Sequence, residues 1–149
     1  MKTAKQLHHL HATDRKSACG ASLVTASGCP VLDDMLPGGG WPKGGVVELV
    51  VPDDHAEAID LVMPALRRLS MQGRWIALVT PPLPSRASVF TDREINANHV
   101  LQVNQHPGRS GLWTVESMLR SGDCAAVLAW PGCDTELMDK RLQRAAMHG

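Results

Sequence analysis

The chain has 149 residues, a length that suits one domain with a buried core. Lys plus Arg and Asp plus Glu number 15 each, and this balance excludes a broad electrostatic attraction to nucleic acid or acidic membranes. The N-terminus has no secretory pattern, no apolar run reaches the ~20 residues of a membrane span, and the four Cys lack zinc or redox spacing. We therefore expect a cytoplasmic protein with reduced thiols, without a membrane or nucleic acid as a direct partner.

The first segment, residues 1–22, is polar and has no hydrophobic periodicity, which predicts a mobile N-terminal arm. It contains His8, His9 and His11, and His8 and His11 could share one helical face as metal ligands. A solvated tail is the favoured interpretation, because no recognisable ligand motif contains these residues. We predict neither a metal site nor a cofactor.

From residue 23 onwards the hydrophobic pattern predicts helices alternating with strands. A short helix around Leu32 and Leu36 ends at the glycine-rich turn 38–40. The predicted strands, each followed by a helix, are residues 46–51, 75–79, 99–103 and 125–130. Pro64 lies inside the first of these helices and is expected to kink or divide it. The alternation predicts an α/β domain over 23–149, with a mostly parallel sheet of about four or more strands between helix layers.

A phosphate-binding loop, GxxxxGK[ST], is absent from the place where a nucleotide-binding domain of this layout needs it. The stretch after the first strand, residues 52–58, has no Gly and no Lys and carries Asp53, Asp54 and Glu57. Such acids cap the helix N-terminus and repel a triphosphate. The glycines at 38–40 precede the strand, whereas a phosphate cradle comes after it. We therefore predict that the chain is not an enzyme.

Five short runs form a recognisable set. They are Leu-Pro-Gly-Gly-Gly-Trp-Pro at 36–42, Val-Val-Glu-Leu at 46–49, Gly-Arg-Trp at 73–75, Thr-Val-Glu-Ser-Met at 114–118, and a strand that ends at Trp130. Together they resemble the SulA/ImuA family of the RecA-like superfamily, over about residues 25–147. The resemblance implies a three-layer RecA-like core with a degenerate P-loop.

The resemblance implies two alternative functions. SulA-like proteins are SOS-induced inhibitors of cell division that bind FtsZ, block its polymerisation without catalysis, and dimerise. ImuA-like proteins are accessory factors in damage-induced mutagenic DNA synthesis. The glycine-rich turn at 38–40 is closer to ImuA, whereas the run at 114–118 and the short length favour SulA. SulA-like chains continue into a further strand and a degradation-prone tail, so this sequence is either truncated or lacks both.

Candidate partner-binding residues cluster around the second and third predicted strands. They are Arg74, Trp75, Val79, Arg86, Phe90 and His99. Arg and aromatic side chains are favoured interface anchors, and the resemblance implicates the Arg before the second strand together with the loop after this strand. For Arg74 a solvated cap or an ion pair is the alternative. For Trp75 we expect core packing rather than exposure.

Overall fold

The computed structural model describes residues 10–12, 24–49, 55–81, 94–104, 109–130 and 139–149. Within these ranges the chain forms seven strands and four helices. The strands are β1 (Leu10–Ala12), β2 (Val24–Thr25), β3 (Trp41–Pro42), β4 (Val47–Leu49), β5 (Trp75–Val79), β6 (Val100–Val103) and β7 (Cys124–Ala129). The helices are α1 (Pro30–Met35), α2 (His55–Met71), α3 (Arg109–Ser121) and α4 (Asp139–His148).

A parallel sheet in the order β6–β5–β7 forms the centre of the fold. Ile76 of β5 pairs with Val100 on one side and with Ala126 on the other. The residues of β5 from Ile76 to Val79 are at most 2% exposed, as expected for a central strand that is covered on both faces. Trp75 pairs with Cys124, so the register slips by one residue at the start of β7. The predicted parallel sheet is confirmed for these three strands.

The first strand of the predicted parallel set lies elsewhere. β4 pairs antiparallel with β1, with Leu49 opposite Leu10, in a separate two-stranded sheet. Glu48 is exposed between two half-buried neighbours, a one-sided pattern that suits an antiparallel ribbon and not a buried parallel strand. Within the described residues the parallel sheet therefore has three strands, and part of the predicted mobile arm is a strand. The RecA-like core stays a prediction.

Helix α2 covers one face of the parallel sheet. The buried cluster on this face consists of Met63, Leu66, Ile76, Leu78 and Ile95. Pro64 does not divide α2, which continues from His55 to Met71. Its ring instead lies against Gly28, where an added Cβ would come within 2.5 Å of the Pro64 Cβ. Arg68, one turn further, donates to the Ala26 carbonyl, so this part of α2 holds the segment before α1.

Helices α3 and α4 lie beyond the other face of the sheet. Side chains alternate along a strand, so Ala77 and Val79 face away from the α2 cluster. Helix α3 contacts β5 and β7 from this side and contributes the buried residues Leu112 and Val115. Helix α4 packs along α3, and Gly149, the residue after α4, reaches the end of α3. The Gly149 carbonyl oxygen lies 3.3 Å from a Cβ built on Gly122.

The glycine-rich turn brings two backbone segments close together. β3 pairs with β2, with Trp41 opposite Thr25. An added Cβ on Gly40 would lie 2.5 Å from the Thr25 carbonyl oxygen, so a larger residue cannot fit there without a shift of the backbone. The predicted turn at 38–40 is confirmed, and the segment that it approaches is the one around Thr25.

Candidate partner-binding surface

The end of α2 determines where Arg74 and Trp75 lie. Gly73 has φ +72° and donates to the Ser70 carbonyl at 3.0 Å, while the Arg74 N–H donates to the Leu69 carbonyl at 3.0 Å. These two hydrogen bonds form a Schellman cap, in which glycine supplies the left-handed residue. The cap ends the helix and directs the chain into β5 one residue later. Arg74 and Trp75 therefore stand at the amino end of the central strand.

Trp75 is a surface residue. Its side chain is 44% exposed, so the expectation of core packing is wrong. On this face the main contacts of α3 with the described strands are to β5 and β7, so the side towards β6 is less covered. Arg74 is exposed as well, and its guanidinium has no hydrogen bond or ion pair with any described residue. Both side chains are therefore available to a partner.

His99 packs against Trp75. The two ring centroids are 5.5 Å apart and the planes are inclined by 57°. His99 closes a 3₁₀ turn, Ala97–His99, whose N-cap Asn96 accepts a hydrogen bond from the Asn98 N–H at 3.1 Å. The Nδ1 atom of His99 is buried without a hydrogen-bond partner among the described residues. The histidine thus supports one side of the tryptophan ring while remaining half-buried itself.

One of the other predicted contact residues, Val79, does not join this surface. Val79 is 2% exposed, so its side chain belongs to the core and cannot touch a partner; that prediction is corrected here. Its position at the far end of β5, on a face covered by α3, explains the burial. Arg86 and Phe90 lie outside the described residues.

A groove lies beside Trp75 and was not predicted from the sequence. Its volume is about 510 Å³, and its lining is made by Trp75, Leu101, Met118, Ser121, Asp123 and Cys124. Leu101 is 42% exposed for the same reason as Trp75, because the main contacts of α3 with the sheet are to β5 and β7. The groove is therefore mainly apolar, with Asp123 as its charged residue.

Burial, and then the neighbouring Asp123 carboxylate, raise the pKa of the Cys124 thiol above its usual value. The thiolate is the reactive form, so a raised pKa slows alkylation near pH 8. We expect iodoacetamide to modify the exposed Cys29 at least about threefold faster than Cys124 at pH 8, and the ratio to fall as the pH rises towards 10. Mass spectrometry of the digested chain measures both rates; equal rates at pH 8 would contradict the prediction.

The run Thr-Val-Glu-Ser-Met at 114–118 lies in the middle of α3, and its first three residues are buried. Glu116 is almost buried and binds two arginines: Arg120 at 3.0 Å on its own helix and Arg141 of α4 at 2.5 Å. Buried carboxylates need such charged partners. The Glu116–Arg141 ion pair therefore joins α3 to α4, and the run serves the fold more than the surface.

A metal site is not visible in the part of the chain that the structure describes. No group of three or more His, Cys, Asp or Glu side chains there is placed to hold a metal ion. Of the stretch that replaces the phosphate loop, residues 52–54 lie outside the described ranges and residues 55–58 form the first turn of α2. Among the described helices, none is both long and apolar enough to cross a bilayer.

These features define a mixed α/β protein with a small parallel sheet and with Arg74 and Trp75 exposed at the N-terminal end of its central strand. The family model described as cell division inhibitor SulA matches residues 44–149. The chain belongs to the SulA family.

Relatives and a solved structure agree with this assignment. The chain is 28% identical over 110 residues to the cell division inhibitor SulA of Serratia proteamaculans, covering 74% of this chain and 66% of that protein. It is 30% identical over 107 residues to the SulA of Yersinia pestis, covering 72% and 64%. It thus spans just under two thirds of these curated relatives. The crystal structure of SulA from Pseudomonas aeruginosa superimposes with a TM-score of 0.59 at 25% identity, over 72% of this chain and 91% of that one.

Proposed function

We propose that the chain is an SOS-response inhibitor of cell division, which acts in the cytoplasm by binding FtsZ and preventing its polymerisation. Membership of a family described as cell division inhibitor SulA supports the division-inhibitor part of this proposal. The FtsZ part derives from the resemblance of the sequence to SulA-like proteins. The action is stoichiometric, because residues 52–58 lack the Gly and Lys that hold a nucleotide phosphate.

The observation that carries the proposal is the exposure of Arg74 and Trp75 side by side. Trp75 is 44% exposed at the start of the central strand, and Trp and Arg are among the residues most enriched in binding hot spots. The Schellman cap and the His99 ring fix the position of Trp75 before a partner arrives. A rigid anchor loses little conformational entropy on binding, so less of its contact energy is offset by the cost of ordering the side chain.

The alternative, an ImuA-like accessory factor in mutagenic DNA synthesis, is favoured by the glycine-rich turn at 38–40 alone. The family model and the curated relatives named above are all SulA. We therefore retain the division inhibitor as the proposed function.

Replacement of Arg74 by alanine tests the proposal. We expect Arg74→Ala to raise the chain concentration that half-inhibits FtsZ assembly by about tenfold, since an interface arginine commonly contributes about 1–2 kcal/mol. The measurement is GTP-dependent FtsZ assembly, monitored by light scattering and by sedimentation, at chain-to-FtsZ ratios from substoichiometric to equimolar.

Arg144→Ala is the matched control, because Arg144 is also exposed and lies on α4, away from β5. It should inhibit like the unmodified chain. If the folded, unmodified chain leaves FtsZ assembly unchanged at equimolar concentration, the proposed function is wrong. If Arg74→Ala inhibits as well as Arg144→Ala, the function stands but the surface is misplaced.

A further inference from the structure

The groove beside Trp75 is a part of the sheet that this fold leaves uncovered. Val100 of β6 packs on the α2 cluster, so Leu101 faces the opposite side, next to Trp75. Helix α3 contacts β5 and β7 on that side, and Met118 forms the wall of the groove where the helix stops. Leu101 and Trp75 are 42% and 44% exposed, while their neighbours on β5 are buried. The groove is thus an apolar opening next to the buried part of β5.

The rim of this groove carries one negative charge. Asp123 is exposed, and its carboxylate has no ion pair or hydrogen bond with any described residue. Trp75 and Cys124 are paired, so Arg74 and Asp123 directly precede two neighbouring strands. Their side chains nevertheless do not form an ion pair with each other. An unpaired charge beside an apolar opening discriminates between partners by complementarity, because a like charge placed opposite it is strongly unfavourable.

We propose that the groove formed by Trp75, Leu101 and Met118 receives an apolar side chain of the protein partner, and that Asp123 selects a partner segment with a Lys or Arg next to that side chain. The proposal rests on the proposed function and extends it: Arg74 and Trp75 supply the anchor, and the groove supplies the choice of partner. The occupant is a partner segment with a positive charge, because the charged residue in the lining of the groove is Asp123, a carboxylate.

The test uses the full chain and FtsZ assembly, with variants that change the groove or its charge. Leu101→Thr keeps a residue suited to a strand but removes apolar surface, and Asp123→Asn and Asp123→Lys remove and reverse the charge. We expect Leu101→Thr and Asp123→Asn each to raise the half-inhibiting concentration about threefold to fivefold, and Asp123→Lys more, in low salt. The effect of the Asp123 variants should shrink in about 0.5 M salt, because rim charges are screened at that concentration.

Val31→Thr and Asp34→Lys are the matched controls, since both residues are exposed on α1. They should inhibit like the unmodified chain, and circular dichroism should show all variants folded.

Inhibition by the unmodified chain together with unchanged inhibition by the three groove variants overturns the inference and leaves the proposed function intact. Tighter inhibition by Asp123→Lys overturns the charge assignment, because it means that the partner presents an acid. Loss of a dimer in Leu101→Thr, with inhibition retained, assigns the groove to a second copy and overturns the proposal. No inhibition by the unmodified chain removes the proposed function, and the inference with it.

Discussion

Trp75→Ala is expected to raise the concentration of chain that half-inhibits FtsZ assembly by roughly thirtyfold or more, since a central aromatic anchor is worth about 2 kcal/mol or more. The ring stands at the start of β5, supported by His99 and adjacent to both Arg74 and the groove. Its removal takes away the largest apolar contact of the surface and leaves the groove without one of its walls. Because the ring is 44% exposed, the loss of stability should be small by comparison.

Trp113→Ala is the matched control for this substitution. Trp113 is 68% exposed on α3, more than Trp75, but it does not line the groove. We expect it to change the half-inhibiting concentration less than about threefold, as for most surface residues outside a hot spot. Titrations of FtsZ assembly with the two variants, measured in parallel, give both half-inhibiting concentrations. Similar losses for both variants would mean that general apolar surface, and not the surface around Trp75, carries the binding.

Gly28→Ala is expected to lower the free energy of unfolding by about 2–6 kcal/mol, the sum of a strain cost and a packing cost. The backbone at Gly28 has φ +93°, where a side chain costs about 1–3 kcal/mol in strain. The new Cβ would also lie 2.5 Å from the Pro64 Cβ, and relief of such overpacking costs about 1–3 kcal/mol more. Urea unfolding monitored by circular dichroism gives the change directly.

Gly39→Ala separates the two contributions. Gly39 has φ +82° but no atom within 4 Å of an added Cβ, so it should show the strain of about 1–3 kcal/mol without the clash. Gly28→Ala should therefore lose more stability than Gly39→Ala. Equal losses would show that α2 shifts away from Gly28 without cost, and that the Pro64 contact does not hold the segment before α1.

The helices and strands with a strong hydrophobic pattern could be predicted from the sequence, whereas the pairing of the strands could not. The apolar stripe of α2 has the spacing of a helix buried on one face, and the continuous apolar runs of β5 and β7 are typical of strands buried on both faces. These patterns predict the type of each element and its position within a few residues. The strand at 46–51 was predicted correctly in type but in the wrong sheet. Its pairing with Leu10–Ala12 depends on a contact between segments about 37 residues apart, and no local pattern encodes that choice.

The surface divides in the same way. Arg74 and Trp75 were predicted as contact residues because arginine and aromatic side chains are favoured interface anchors and because of the resemblance. The exposure of Trp75 could not be predicted, whereas the Schellman cap explains why the pair stands at the start of β5. Val79 was included wrongly, since burial at the far end of β5 results from where α3 lies. The groove could not be predicted for the same reason. The exposure of Leu101 depends on which strands α3 contacts, and without that information a hydrophobic residue in a strand is assigned to the core.

The contact between Gly149 and Gly122 has a practical consequence for every binding measurement. Gly122 directly precedes Asp123, so a peptide joined to Gly149 would start beside the rim of the groove. A tethered segment reaches an effective concentration on the order of millimolar at a nearby surface. A C-terminal affinity tag would then act as an intramolecular competitor, and a basic or apolar one would weaken inhibition without any change in the folded domain. On the proposed role of the groove, we therefore expect measured affinities to depend on the sequence of a peptide joined to Gly149.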